Sequence, residues 1–365
     1  MHEDRPLYPV SRAHLDVLSD GVGIMQHAKG TQPDPAHGYC TDDVARALQV
    51  DLLHQRELGW DAVAASAWRH VRFLNEALDP ATGRFRNFRR MDGSWLEDVG
   101  SEDCHGRAML ALGETMATAP DEDLVGYADS LFSGALSAAE GLGALRARAS
   151  VLLGCDAAMR STPTEAYERT YRQLAKWLGS AFDAPQASEW PWPESRLTYE
   201  NALPVRALIV AGRHLDSLPM TEAGLEILDW LIAAQTAPAG QFSSIGNGWW
   251  SRGGQKSRFD QQPIEATALL LAAEAAYSVT SDERYRAAME RAYAWFLGGN
   301  DLGVPVAVPE GGASYDGLTP RGVNTNRGAE STLMWLIASE HVREFRRGPS
   351  TSRAPSEPSH VGAAR

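Results

Sequence analysis

Cysteine is scarce in this chain of 365 residues: there are three, Cys40, Cys104 and Cys155. So odd and sparse a set excludes a disulfide framework and points to reduced thiols. No apolar run approaches the roughly 18 residues that a membrane span needs. A charged-then-apolar leader is missing too, since Met1-His-Glu-Asp-Arg-Pro-Leu is polar and acidic, and a cytoplasmic location is expected. Positive charge is in deficit, with 34 Lys and Arg against 47 Asp and Glu giving −13. That balance argues against nucleic acid or an anionic membrane as the main partner. No phosphate-cradling glycine loop or dinucleotide fingerprint occurs, so no cofactor is expected.

What the chain does have is apolar helical periodicity, in a composition 44% hydrophobic. Twelve segments carry it, at about 10–28, 41–57, 60–77, 102–118, 121–141, 145–160, 163–182, 199–215, 219–236, 262–278, 281–297 and 327–347. The even-numbered segments are apolar nearly all round, as Thr267-Ala-Leu-Leu-Leu-Ala-Ala-Glu-Ala-Ala276 shows. The odd-numbered ones keep a wet face, as in Glu283-Arg-Tyr-Arg-Ala-Ala-Met-Glu. Strict alternation of this kind predicts an all-α fold of two concentric rings, an (α/α)6 toroid of six helical hairpins, filling 1–347 as a single domain. The stretch 348–365 lacks apolar residues and is expected to be a disordered tail.

Connections alternate as well. The outer-to-inner loops at 78–101, 183–198, 237–261 and 298–326 are long, whereas most inner-to-outer loops are a few residues. Long loops gathered on one rim of a rigid scaffold are the usual place for a binding site. Two of them, Gly83-Arg-Phe through Trp95 and Gly240-Gln-Phe through Trp250, read as short β-hairpins.

Five of the six inner helices begin beside carboxylates: Asp42 and Asp43, Glu102 and Asp103, Glu200, Asp260 with Glu265, and Glu330. Capping explains part of this, because acids in a first turn favour the positive end of the helix dipole. Two adjacent acids after His37-Gly-Tyr-Cys40 exceed what a cap requires, and consecutive helical positions point about 100° apart. An Asp-x-x-x-Arg-Ala element recurs at Asp42–Ala47 and Asp103–Ala108. It reads either as an i,i+4 ion pair or as an arginine that holds its aspartate ionised for chemistry. The set of acids is the argument for glycoside hydrolysis, which needs one protonated and one ionised carboxyl group. Candidate catalytic residues are Asp42, Asp43, Asp103, Glu200 and Asp260.

Aromatic residues in or beside the long loops, Tyr39, Trp95, Trp190, Trp192, Tyr199, Trp249, Trp250 and Tyr315, supply flat faces for sugar rings. The pair in Glu189-Trp-Pro-Trp-Pro-Glu194 is expected to be exposed on a proline-stiffened loop. Trp68, Trp177, Trp230, Trp295 and Trp335 sit at helical spacing and belong to the core. The full set of binding candidates is His37, Tyr39, Glu102, His105, Trp190, Trp192, Tyr199, Trp249, Trp250, Arg321, Asn326 and Arg327. His37, Cys40, Cys104 and His105 also recur near helix starts, but no Cys-x-x-Cys or His-x-x-x-His spacing supports zinc, and no metal is expected.

The twelve-helix pattern, with His37-Gly-Tyr-Cys-Thr-Asp-Asp43, Ser101-Glu-Asp-Cys-His-Gly-Arg107 and Thr325-Asn-Arg-Gly-Ala-Glu-Ser331, resembles the six-hairpin glycosidase superfamily, and within it members that accompany or are fused to glycosyltransferases. The resemblance spans about 10–347 and implies a sugar ligand at the N-terminal rim of the inner helices. It allows hydrolases, sugar epimerases and non-catalytic carbohydrate-binding partners of a glycosyltransferase. An epimerase would work with two histidines beside a carbonyl. His105 is one, and no second histidine stands at the start of another inner helix.

Overall fold

The computed structural model describes residues 5–183 and 189–348; apart from Gly348, the expected tail lies outside the described residues. Among the described residues twelve α-helices follow in order: α1 (Ala13–Leu18), α2 (Thr41–Leu58), α3 (Ala64–Ala77), α4 (Glu102–Thr118), α5 (Glu122–Ala135), α6 (Leu145–Met159), α7 (Glu165–Asp183), α8 (Ala202–His214), α9 (Leu218–Ala234), α10 (Pro263–Thr280), α11 (Glu283–Phe296) and α12 (Ala329–Arg347). Each even-numbered helix packs against the next even-numbered one, and α12 closes the ring on α2. The odd-numbered helices lie outside, α3 on α2, α5 on α4, α7 on α6, α9 on α8, α11 on α10 and α1 on α12. The fold is an (α/α)6 toroid.

The two rings follow from the apolar pattern. Residues 41–48 and 263–270 are buried without a break, which only a helix covered on both sides permits. In α7 the buried positions are Tyr167, Thr170, Tyr171, Leu174, Ala175, Leu178 and Phe182, a single stripe at helical spacing. Because every inner helix returns through an outer one, all six inner helices point the same way. Their N-termini therefore share one rim with the long loops.

That rim is stitched by short antiparallel pairs, two of which join different loops. Tyr39–Cys40 pairs with Phe88–Arg89, and Arg196–Leu197 with Trp250–Ser251. The hairpin expected at 83–95 is thus shared with the loop ahead of α2. Where α6 starts without an acid, Glu102 of α4 supplies one, accepting the N–H groups of Gly143 at 2.8 Å and Ala144 at 2.6 Å.

Several expected boundaries shift, among them that of α3, whose expected start at 60 is a 3-10 turn, Trp60–Ala62, ahead of Ala64. The first segment forms only α1, because Asp20 Oδ1 accepts the N–H of Val22 and Gly23 and turns the chain, and Ala28–Lys29 then pairs with Gln32–Pro33. Arg12 secures this short helix, donating to Asp51 of α2 at 2.6 Å. The fifth segment ends as α5 and continues as a 3-10 turn, Leu136–Gly141. The eighth starts three residues late, because Glu200 adopts a left-handed φ of 49° ahead of α8.

One contact in the inner ring depends on glycine. A Cβ on Gly113 of α4 would lie 2.1 Å from the carbonyl oxygen of Gly154 in α6, and one on Gly154 would lie 2.6 Å from that of Met109. The two backbones meet directly. Gly113→Ala is expected to cost about 1–3 kcal/mol by overpacking. Gly126→Ala, on the outer helix α5 with open space around it, should instead stabilise by roughly 0.5–1 kcal/mol. Denaturant unfolding of the two variants checks the contrast.

Candidate active site

Two arginines organise the rim, Arg46 buried and Arg107 half-buried. Arg107 of α4 donates through Nη1 to Asp42 Oδ1 at 2.9 Å and through Nη2 to Glu200 Oε2 at 2.8 Å, and Asp103 lies 3.9 Å from Nη2. Arg46 of α2 donates through Nη1 to Asp43 Oδ1 at 3.1 Å and to Glu330 Oε2 of α12 at 3.0 Å. The repeated Asp-x-x-x-Arg element therefore makes no close i,i+4 pair. Each arginine instead reaches across to an acid on another inner helix or its lead-in, so Asp42, Asp43, Asp103, Glu200 and Glu330 converge.

The two adjacent aspartates are held differently. Burial opposes ionisation of Asp42, but the charges of Arg107 and Arg46 outweigh it and hold the carboxyl below its usual range. Asn87, on the loop between α3 and α4, adds a hydrogen bond to Asp42 Oδ2 at 2.8 Å. For Asp43 burial dominates and raises the carboxyl to about 7; Arg46 opposes the rise, while Glu330 and Asp42 add to it. Consecutive residues therefore carry one ionised and one protonated carboxyl group in mildly acidic solution. A pair split in this way is the usual mark of an acid and a base.

Glu265 of α10 is a third acid, outside that pair. Burial raises it to about 7, against hydrogen bonds from Asn201 Nδ2 at 3.0 Å and the Asn201 N–H at 3.2 Å. Asn201 is in turn held by Arg146 of α6 at 3.0 Å, and Arg146 also donates to the Tyr199 carbonyl. The Tyr199 hydroxyl donates to Asp103, and its own titration is pushed up, first by burial and then by that carboxylate. Asp103, Arg146, Arg196, Tyr199 and Trp249 line a groove of about 290 Å³ beside the acids.

Several expected binding residues lie elsewhere. Trp190 and Trp192 are buried, with indole N–H groups donating to the Glu194 carbonyl at 2.9 Å and carboxylate at 3.2 Å; prolines had suggested exposure, but the loop folds inward. Trp250 stacks on Trp230 and meets Trp190 edge-on, while Trp249 stays partly exposed, with the Arg196 guanidinium 4.7 Å from its ring. Tyr39 is buried and donates to Asp20. His105 is fully buried beside Phe85, both ring nitrogens lack a hydrogen-bond partner among the described residues, and burial lowers it to about 3. It sits in the wall, so it does not face a substrate.

Glu102 caps α6 as described, and Asn326 Oδ1 accepts the Gly30 N–H at 3.0 Å. Arg327 donates to the Tyr315 hydroxyl at 3.2 Å. Asp260 and Arg321 are exposed, without a side-chain hydrogen bond or ion pair among the described residues. His37 is exposed on the rim, its ring 4.6 Å from that of His27. Asn87, Asn201, Arg146 and His27 went unread in the sequence. Only Arg146 left a signal, as one of two arginines, with Arg148, at the start of an otherwise apolar helix.

Cys40 Sγ donates to Asn87 Oδ1 at 3.2 Å, and burial raises both the Cys40 and Cys104 thiols, which suits them to the core and not to attack. Among the described residues no group of three His, Cys, Asp or Glu side chains is placed to hold a metal ion. No helix there is long and apolar enough to cross a membrane.

No family model matches the chain, and no curated protein matches it. Solved structures do. Cellobiose 2-epimerase from Bacillus thermoamylovorans superposes with a TM-score of 0.68 at 13% identity, over 90% of this chain and 95% of that one. A D-mannose isomerase gives 0.67 at 12% identity, over 90% and 93%. A GH76 alpha-mannanase from Bacteroides thetaiotaomicron gives 0.62 at 9% identity, over 92% and 94%. The likeness establishes the fold.

The Asp43 pair makes stability depend on pH. A carboxyl titrating near 7 when folded and near 3.9 when unfolded gives stability that is full below about 4 and lost as pH rises to about 7. Asp43→Asn keeps the acceptor for Arg46 and removes the titration. Its melting temperature relative to wild type should therefore be higher at pH 8 than at pH 4.5, as thermal unfolding at the two pH values will show.

Proposed function

We propose that this chain is a carbohydrate-active enzyme, a glycoside hydrolase that cleaves an oligosaccharide laid across the acid-lined rim. The observation that carries the reading is the placement of two adjacent acids, Asp42 bound by Arg107 and Asn87 and Asp43 beside Glu330 on Arg46, in surroundings that shift their carboxyls in opposite directions. Asp43 is the proton donor to the leaving oxygen, and Asp42, fixed by Arg107 and Asn87, is the ionised carboxylate that faces the developing positive charge or activates water. Trp249 and Tyr199 flank the groove where a neighbouring sugar ring lies, with Asp103 accepting from its hydroxyls. A role beside a glycosyltransferase and a cytoplasmic site of action belong to the same proposal, the latter supported by three buried free thiols.

An epimerase is the second reading, favoured by the likeness to cellobiose 2-epimerase and D-mannose isomerase. His27 and His37 are the histidines it would use. Their rings touch, at 4.6 Å between centroids, which leaves no room for a sugar carbon between them unless the loop moves.

Incubation with a panel of oligosaccharides, with products resolved by mass and anomeric form, separates the two. Shorter sugars support hydrolysis, and an isomer of unchanged mass supports epimerisation. Asp43→Asn and Asp42→Asn are each expected to lower kcat by about 10²–10⁴-fold while the protein stays folded. The wild-type rate should follow a bell, falling on the alkaline side as Asp43 deprotonates near pH 7 and on the acid side as Asp42 takes up a proton below the usual carboxylate range. A rate unaffected in both variants would remove these residues from the mechanism.

A further inference from the structure

Beneath the acid layer the inner helices line a chamber of about 210 Å³, whose rim end shares Arg46, Arg107 and Glu200 with the site above and whose deeper part the mechanism does not use. Its lining runs from Arg46 and Arg107 at the rim end to Arg56 of α2 and Arg160 at the end of α6, with Arg206 of α8 on its wall. Arg46 and Arg56 are ten residues apart on one helix, so the chamber extends roughly 15 Å along the toroid axis. Five arginines face it against three glutamates, Glu114, Glu200 and Glu344, in a chain whose overall balance is 34 basic to 47 acidic residues. The sign of the molecule is reversed there.

The arginines are unequal. Arg107 is fully occupied by Asp42 and Glu200, and Arg56 is paired with Glu344. Arg46 is 3% exposed, and its Nη2 is buried without a hydrogen-bond partner although Nη1 serves two carboxylates. Arg160, exposed at the far mouth of the chamber, and the half-buried Arg206 form no side-chain hydrogen bond or ion pair with any described residue. The Arg206 charge is felt by Glu274, yet that carboxylate already accepts from His341 at 2.7 Å. Glu114 is likewise engaged, by Gln49 at 2.8 Å. Arg160 sits at a helix C-terminus, where it also offsets the dipole, but Arg206 lies early in α8 and has no such task.

From this we infer that the chamber is a binding site for a small tetrahedral oxyanion, a phosphate or a phosphoryl group, held by Arg160 and Arg206. Planar guanidinium forks match such oxygens with two hydrogen bonds each. The inference is independent of the hydrolase reading, because none of its ligands is Asp42 or Asp43.

The test is calorimetric titration of the full chain with inorganic phosphate, with chloride at matched ionic strength as the blank and glucose 6-phosphate as a second ligand. Saturable phosphate binding is expected, weakened about tenfold or more in Arg206→Gln and in Arg160→Gln. Arg72→Gln, which removes an equal charge from outer helix α3, should bind as wild type. Arg206→Lys keeps a cation and should retain part of the affinity, which guards against a loss caused by misfolding. Tighter binding of glucose 6-phosphate than of phosphate also supports the site and identifies its source as a sugar phosphoryl group. Absence of saturable binding of both ligands, or equal affinity in wild type and both glutamine variants, overturns it.

Discussion

The site depends on two guanidinium groups held inside a ring of helices. Arg46 and Arg107 each bind a carboxyl group of α2, Asp43 and Asp42, and a carboxylate from elsewhere on the ring, Glu330 and Glu200. Removing an arginine from water is costly, and this cost is offset only where ionised oxygens surround it. The acids are therefore obligatory partners of the arginines, and the arginines are what allow so many acids to share one space. The competition among them leaves Asp42 charged and Asp43 neutral.

The toroid explains how these residues meet. The direct crossing of α4 and α6 at Gly113 and Gly154 draws the second and third inner helices together, and Glu102 ties the start of α6 to α4. On the far side, the left-handed turn at Glu200 aims its carboxylate at Arg107 before α8 begins. Local backbone geometry and long-range charge pairing thus set the same constellation. Solved structures of this fold carry names as different as epimerase, isomerase and mannanase, so the chemistry belongs to the side chains and not to the helices.

Much of the architecture was legible in the sequence because burial on two sides or on one leaves different patterns, apolar all round or in a stripe. The alternation of long and short connections showed which rim to examine. Side-chain direction was not legible. The Asp-x-x-x-Arg repeat suggested pairing along a helix, yet Arg107 prefers Asp42 of the neighbouring helix, since a long guanidinium can span adjacent inner helices. Prolines around Trp190 and Trp192 suggested a displayed surface, but both indoles turn inward toward Glu194. His105 followed the same rule in reverse, being placed by its position on an inner helix yet turned into the wall against Phe85. Asn87 and Asn201 could not be read at all, because nothing in a loop sequence says which helix its amide will meet.

The central claim is that one proton resides on Asp43 and none on Asp42. Neutron diffraction from perdeuterated crystals grown near pH 6 would locate it directly. The account predicts deuterium on an Asp43 carboxyl oxygen and bare oxygens on Asp42 facing Arg107 and Asn87. Deuterium on Asp42, or two bare carboxylates, would contradict it.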